Sequence, residues 1–172
     1  PAMIELARRR VPGGEFRVGS FADADLPGRL DAVVAIGEVL GYALDERAAG
    51  DGALDAVFAR VRRALFPGGL LLFDLAGPGG AGPGGSSGWT DGDGWSVGYR
   101  AREEADMLVR EIVTFTREDD GRWRRADETH RLRLYEPEDV LGRLRAAGFA
   151  AHTLRGYGDV DLPPGWTAFA AD

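Results

Sequence analysis

The chain has 172 residues, 44% of them hydrophobic and 28% charged, with 26 Gly, 9 Pro and a formal net charge of -7. That balance describes one globular domain and excludes a disordered or collagen-like chain, while the acidic excess argues against nucleic acid and anionic membrane surfaces as partners. With no cysteine, a disulfide framework and a thiolate metal or redox site are both excluded. No apolar run approaches the ~20 residues of a membrane span and no signal-peptide pattern opens the chain, so a soluble cytoplasmic protein is expected.

All 21 basic residues are Arg, and Lys, Asn and Gln are absent. A Schiff-base lysine and a carboxamide donor are therefore unavailable. Polar work falls to Asp, Glu, Arg, the hydroxyl side chains, Trp, two His and the backbone, and no metal site is expected.

In chain order, a helix is expected from Pro1, with Met3, Ile4, Ala7 and Val11 on one face, ended by Pro12-Gly13-Gly14. The chain opens on Pro rather than Met inside this helix, as a piece of a longer protein would. Residues 15–21, with Phe16 and Val18 alternating, read as a short strand. Residues 30–36 are a nearly continuous apolar run, suited to a strand buried on both faces of a parallel sheet. Leu54, Val57, Phe58, Val61 and Leu65 repeat at helical spacing after Asp51 as a potential cap, and Pro67-Gly68-Gly69 stops them. Residues 70–74 are a second buried strand. Strand, helix and strand with short connections define a right-handed crossover in a doubly wound sheet.

The pattern changes after Ala76. Residues 77–88 are a Gly/Pro/Ser segment without apolar periodicity, read as a mobile surface loop. Gly77, Gly79 and Gly82 satisfy GxGxxG spacing after a strand, but phosphate binding needs a helix to begin there, and none does. Strand-like stretches follow at 95–102, 107–116 and 123–135, forming an antiparallel layer, 95–135, inserted in the single domain 1–172. Taking Asp120-Gly121 as a two-residue turn places Glu111 opposite His130, Arg110 opposite Arg131, Phe115 opposite Ala126 and Val109 opposite Leu132. Glu111 and His130 are then either an ion pair on the outer sheet face or a carboxylate-oriented imidazole suited to general-base work. Pro137 opens a last helix with Val140, Leu141 and Leu144, closed by Gly148. Residues 150–154 and 166–171 are two closing strands, and His152 in the first is read as structural.

Pro1-Ala2-Met3 at a helix head, Gly19-Ser20-Phe21 after a strand, the run Asp31 through Gly37, and Leu65-Phe66-Pro67-Gly68-Gly69-Leu70 before a strand reaching Asp74 together resemble the class I S-adenosylmethionine-dependent methyltransferases. The resemblance implies an α/β, Rossmann-like sheet whose N-terminal strands, with the cofactor's Gly-rich loop and an acidic strand end, would precede Pro1. It implies S-adenosyl-L-methionine as cofactor and a small-molecule methyl acceptor. Met3 would touch the adenine, Ser20 would stand where the family often has Asp for the adenine amino group, and Phe21 would sit beside it. Ile36 and Gly37 would pass beside the methyl group. Glu38, at the same carboxyl end of a strand where open parallel sheets bind ligands, and His130 are the candidate catalytic residues. Tyr42 and Glu111 are candidates for the acceptor pocket. Two other readings stand beside this one: a methyltransferase-like interaction domain without cofactor, and a nicotinamide-dependent oxidoreductase of the same sheet type.

Overall fold

The computed structural model describes residues 2–43 and 52–172. A four-stranded sheet runs in the order β1 (Leu30–Ala35), β2 (Leu65–Ala76), β10 (Trp166–Ala171), β7 (Ala151–Leu154). β1 and β2 are parallel, and β10 lies antiparallel between β2 and β7. Helix α2 (Ala53–Ala64) makes the crossover from β1 to β2, and α3 (Pro137–Ala146) leads into β7. Both bury a Leu/Val face on the sheet, with Phe58, Phe73 and Phe169 forming the aromatic centre of the core. The expected helices, crossover and closing strands are all present, and α2 and α3 form because their apolar period matches a sheet face that they cover.

A second four-stranded sheet is the antiparallel meander β3 (Ser86–Gly92), β4 (Trp95–Glu104), β5 (Met107–Arg117), β6 (Trp123–Arg133). A two-stranded ribbon, β8 (Gly156–Tyr157) with β9 (Val160–Asp161), precedes β10. β3 lies partly in the segment read as a loop. Its residues are poor strand formers, and only the Asp93-Gly94 turn, which sets Gly92 opposite Trp95, signalled the hairpin. The loop before it is held by consecutive turns, Gly82 N to Gly79 O at 3.1 Å and Gly85 N to Gly82 O at 3.1 Å. Glu103 accepts the Gly79 and Ala81 amides at 3.0 Å each. A carboxylate therefore occupies the amides of the GxGxxG-like run, where a phosphate reading would need an anion of its own.

Several expectations are corrected. Residues 15–20 have no regular secondary structure and Phe21 opens a turn, so the expected strand is not formed. β1 is an edge of its sheet, with Val34 at 57% and Ile36 at 48% exposure, so its apolar run is not buried on both faces. β2 begins at Leu65, and the Pro-Gly-Gly stretch that was expected to precede it forms a register break inside the strand. Helix α1 (Ala2–Arg10) buries no residue and leaves Met3 78% exposed. Pro1, and Asp51 as the cap of α2, lie outside the described residues.

The β5–β6 register also differs by one residue. Glu118 N donates to Arg122 O at 2.8 Å and Gly121 N to Glu118 O at 2.9 Å, with Gly121 at φ 82, so the turn has three residues, 119–121, rather than two. A three-residue turn with a left-handed Gly is the next commonest hairpin, and the slip changes which side chains share a face. His130 stands opposite Arg110 and Glu111 opposite Thr129, while Phe115 faces Arg125 and Val109 faces Arg131. The like-charged Arg110–Arg131 pairing is thereby avoided.

Candidate active site

The two sheets meet at the loop that follows β1. Gly37 and Glu38 both take left-handed backbone angles, φ 89 and 62, and lead into a short 3-10 turn, Val39–Gly41. Their amides converge on Asp74 near the carboxyl end of β2: Glu38 N to Oδ1 at 2.6 Å and Gly37 N to Oδ2 at 3.0 Å. Two successive positive-φ amides form a small anion-binding concavity, and Asp74, 2% exposed, fills it. Tyr157 of β8 donates its hydroxyl to the same carboxylate at 2.7 Å. Burial, then this hydrogen bond, pushes the Tyr157 phenol well above its ordinary value.

This turn projects the Glu38 side chain towards the antiparallel layer, where it is 8% exposed overall. Arg110 of β5 donates Nη1 to Oε2 and Nη2 to Oε1, each at 3.0 Å, and Trp166 of β10 donates its indole N–H to Oε1. The hydrogen bond to Glu38 raises the Arg110 guanidinium above its usual range, against the opposing effect of burial. A buried carboxylate neutralised by a two-pronged Arg and a third donor is fully engaged. It ties β1, β5 and β10 together and is poorly placed to take up a proton.

The next residues dock on β6. Tyr42 forms an isolated antiparallel bridge with Leu132, and Ala43 N donates to Arg131 O at 2.9 Å. The Tyr42 hydroxyl lies 3.0 Å from His130 Nδ1, and the rings meet edge-on at 5.5 Å between centroids. On the far side of the imidazole, Nε2 is 3.1 Å from Oε2 of Glu128. Burial first, and the nearby Glu38 carboxylate second, raise the Tyr42 phenol above its ordinary value. A carboxylate only accepts, so the contact with Glu128 calls for a proton on Nε2, and Nδ1 of the neutral ring is then left to accept from the Tyr42 hydroxyl.

The sequence-read residues are therefore divided. Glu38, Tyr42 and His130 come together. Glu111 does not: it sits on the opposite face of β5, ion-paired to Arg102 at 3.3 Å, in an outer groove of about 710 Å³ shared with Trp89, Arg125 and Asp127. Phe21 and Ile36 line a second, apolar cavity of about 270 Å³ with Leu26, Val39 and Arg60. Arg60 donates to the carbonyls of Phe21 and Ala22, and its buried Nε has no hydrogen-bond partner. Ser20 stands next to Phe21 and uses Oγ to accept the Ala22 amide at 3.0 Å. Met3 lines neither space, and the Gly37 amide is taken by Asp74. Arg110, Trp166, Tyr157 and Glu128 are not singled out as site residues by the sequence, and Asp74 enters there only as the residue that the second buried strand reaches. One signal was available: strand alternation puts Arg110 on the face of Leu108 and Ile112, an inward charge that demands a partner.

No family model and no curated protein matches the sequence. Solved structures do. An S-adenosylmethionine-dependent methyltransferase from Clostridium acetobutylicum is 18% identical, with a TM-score of 0.77 over 97% of this chain and 68% of that one. The sugar N-methyltransferase KedS8 from Streptoalloteichus is 25% identical, with a TM-score of 0.78 over 99% and 67%. DesVI from Streptomyces venezuelae is 22% identical, with a TM-score of 0.78 over 98% and 69%. The fold is that of the class I S-adenosylmethionine-dependent methyltransferases. The chain spans about two thirds of the length of each of these three. Among the described residues, no helix is long and apolar enough to cross a membrane.

Proposed function

We propose that this chain belongs to an S-adenosylmethionine-dependent methyltransferase that acts on an amino group of a small, sugar-like acceptor. The observation that carries the reading is the likeness to a sugar N-methyltransferase at 25% identity and a TM-score of 0.78 over 99% of the chain. When bound, S-adenosylmethionine supplies a methyl group on a positive sulfonium, a good leaving group, so the protein's task is chiefly alignment. Phe21, Ile36 and Arg60 fit the purine end of that cofactor: an apolar slot with one unpartnered buried donor.

The inserted layer β3 to β6 closes over the acceptor side in this reading. Tyr42 and His130 handle the acceptor's proton, and Glu38, held by Arg110 and Trp166, fixes the loop between the two regions. The net charge of -7 supports a small acceptor over a nucleic acid. Calorimetry with S-adenosylhomocysteine tests the cofactor, and transfer from methyl-labelled S-adenosylmethionine to amino and neutral sugars tests the acceptor. Binding, with label on the amino sugars alone, is expected. A titration without heat at millimolar ligand removes the assignment and favours an interaction domain without cofactor; label on the neutral sugars removes the amine.

A further inference from the structure

We propose that Tyr42, His130 and Glu128 form a proton relay that carries the acceptor's proton from the interior of the site to solvent, with Tyr42 rather than His130 as the group that meets the acceptor. The proposal rests on the methyltransferase reading for the source of the proton. Its geometry rests on three side chains in series: Tyr42 hydroxyl to Nδ1 at 3.0 Å, and Nε2 to Glu128 Oε2 at 3.1 Å. Tyr42 and His130 are both half-buried, the His130 side chain at 24% exposure, and the Glu128 side chain that ends the series is 58% exposed.

A phenol that donates to Nδ1 keeps lone pairs free to accept from an N–H or O–H of the acceptor. The acceptor's X–H bond breaks towards the Tyr42 oxygen, its electron pair stays on X, and the phenol's own proton passes to Nδ1. The imidazolium so formed is balanced by Glu128, and its Nε2 proton leaves to water at that exposed side. Direct transfer from the acceptor to Nδ1 is blocked because Tyr42 already occupies that nitrogen. Glu38 cannot substitute as the base, since Arg110 and Trp166 engage both its oxygens.

Among the described residues, the imidazole meets Tyr42 from the loop after β1, Arg110 opposite it on β5 and Glu128 on its own strand. The Glu128 charge balances the imidazolium formed during transfer, so Glu128→Gln should slow turnover.

The test compares wild type, Tyr42→Phe and Glu128→Gln. Tyr42→Phe should lower kcat roughly 100-fold or more, within the range of positioned proton transfer, with S-adenosylhomocysteine affinity unchanged. Glu128→Gln, at an exposed position that does not threaten folding, should lower kcat by less than Tyr42→Phe does, again with S-adenosylhomocysteine affinity unchanged. Independently of activity, ¹⁵N NMR of the two histidines, with His152 assigned by substitution, should show His130 as the Nε2–H tautomer in wild type and a mixture in Tyr42→Phe. A wild-type tautomer mixture, or variants that keep the wild-type kcat, overturns the relay. Failure of wild type to bind S-adenosylhomocysteine overturns the methyltransferase reading instead, and the tautomer measurement then still decides the geometry.

Discussion

Arg110 reaches across from the antiparallel layer and places its two terminal nitrogens 3.0 Å from the two carboxylate oxygens of Glu38, in the loop after β1. The side chains are only 20% and 10% exposed, so each charge depends on the other. Removing one partner of such a pair leaves a buried charge alone, at a cost of about 3 kcal/mol or more. Arg110→Met should therefore lower the urea midpoint strongly. The double variant Arg110→Met with Glu38→Leu should recover much of the loss, and additive losses in the cycle would show that the two residues are not coupled.

Asp74 accepts from two backbone amides and the Tyr157 hydroxyl. An amide in its place presents an NH₂ to at least one of these donors. Asp74→Asn should cost about 1–3 kcal/mol through the unsatisfied buried group, and it should loosen the loop that bears Glu38 and Tyr42. Faster hydrogen exchange at Gly37 and Glu38, with little change in α3, is the expected signature.

Tyr42 and Tyr157 both have phenols raised above the ordinary value of 10.0. The folded state thus binds their protons more tightly than the unfolded state does. This contribution to stability is complete below about pH 10 and declines as pH rises beyond it, through the folded-state values. Alkaline denaturation should therefore be shallower in Tyr157→Phe than in wild type. Phenolate absorbance should lose a late-ionising component in Tyr42→Phe and in Tyr157→Phe; an unchanged late component in both would contradict the burial assigned to them.

Gly165 has φ 84, and a Cβ there would lie 2.2 Å from Gly80 Cα. Its carbonyl also accepts the Gly77 amide at 2.7 Å, and it precedes Trp166, a donor to Glu38. Gly165→Ala combines a left-handed strain with a backbone clash, about 2 kcal/mol or more. Denaturant titration should show that loss, and Trp fluorescence should report an altered Trp166 environment.

Phe21 borders the apolar cavity that also holds Ile36 and Arg60. Truncation to Ala removes apolar surface from the proposed purine site, so affinity for S-adenosylhomocysteine should fall by roughly 10-fold, about 1.4 kcal/mol. Calorimetry on Phe21→Ala and on Met3→Ala separates the two: Met3, exposed on α1, should have no effect.

The sequence by itself determined the elements with a strong period: α2 from Leu54, Val57, Phe58 and Val61, α3 from its opening Pro137, and the strands β1, β2, β7 and β10. It also brought Glu38, Tyr42 and His130 forward, because strand ends and chemically versatile side chains are local facts. It could not fix the β5–β6 register, since two- and three-residue turns both suit a segment ending in Asp-Gly, and one residue of slip exchanges Glu111 for Arg110 on the face of His130. Nor could it find Trp166 or Tyr157, which reach the site from strands far along the chain. Tertiary structure decided those partners, because a buried carboxylate must be met by donors and only packing brings them within hydrogen-bond distance.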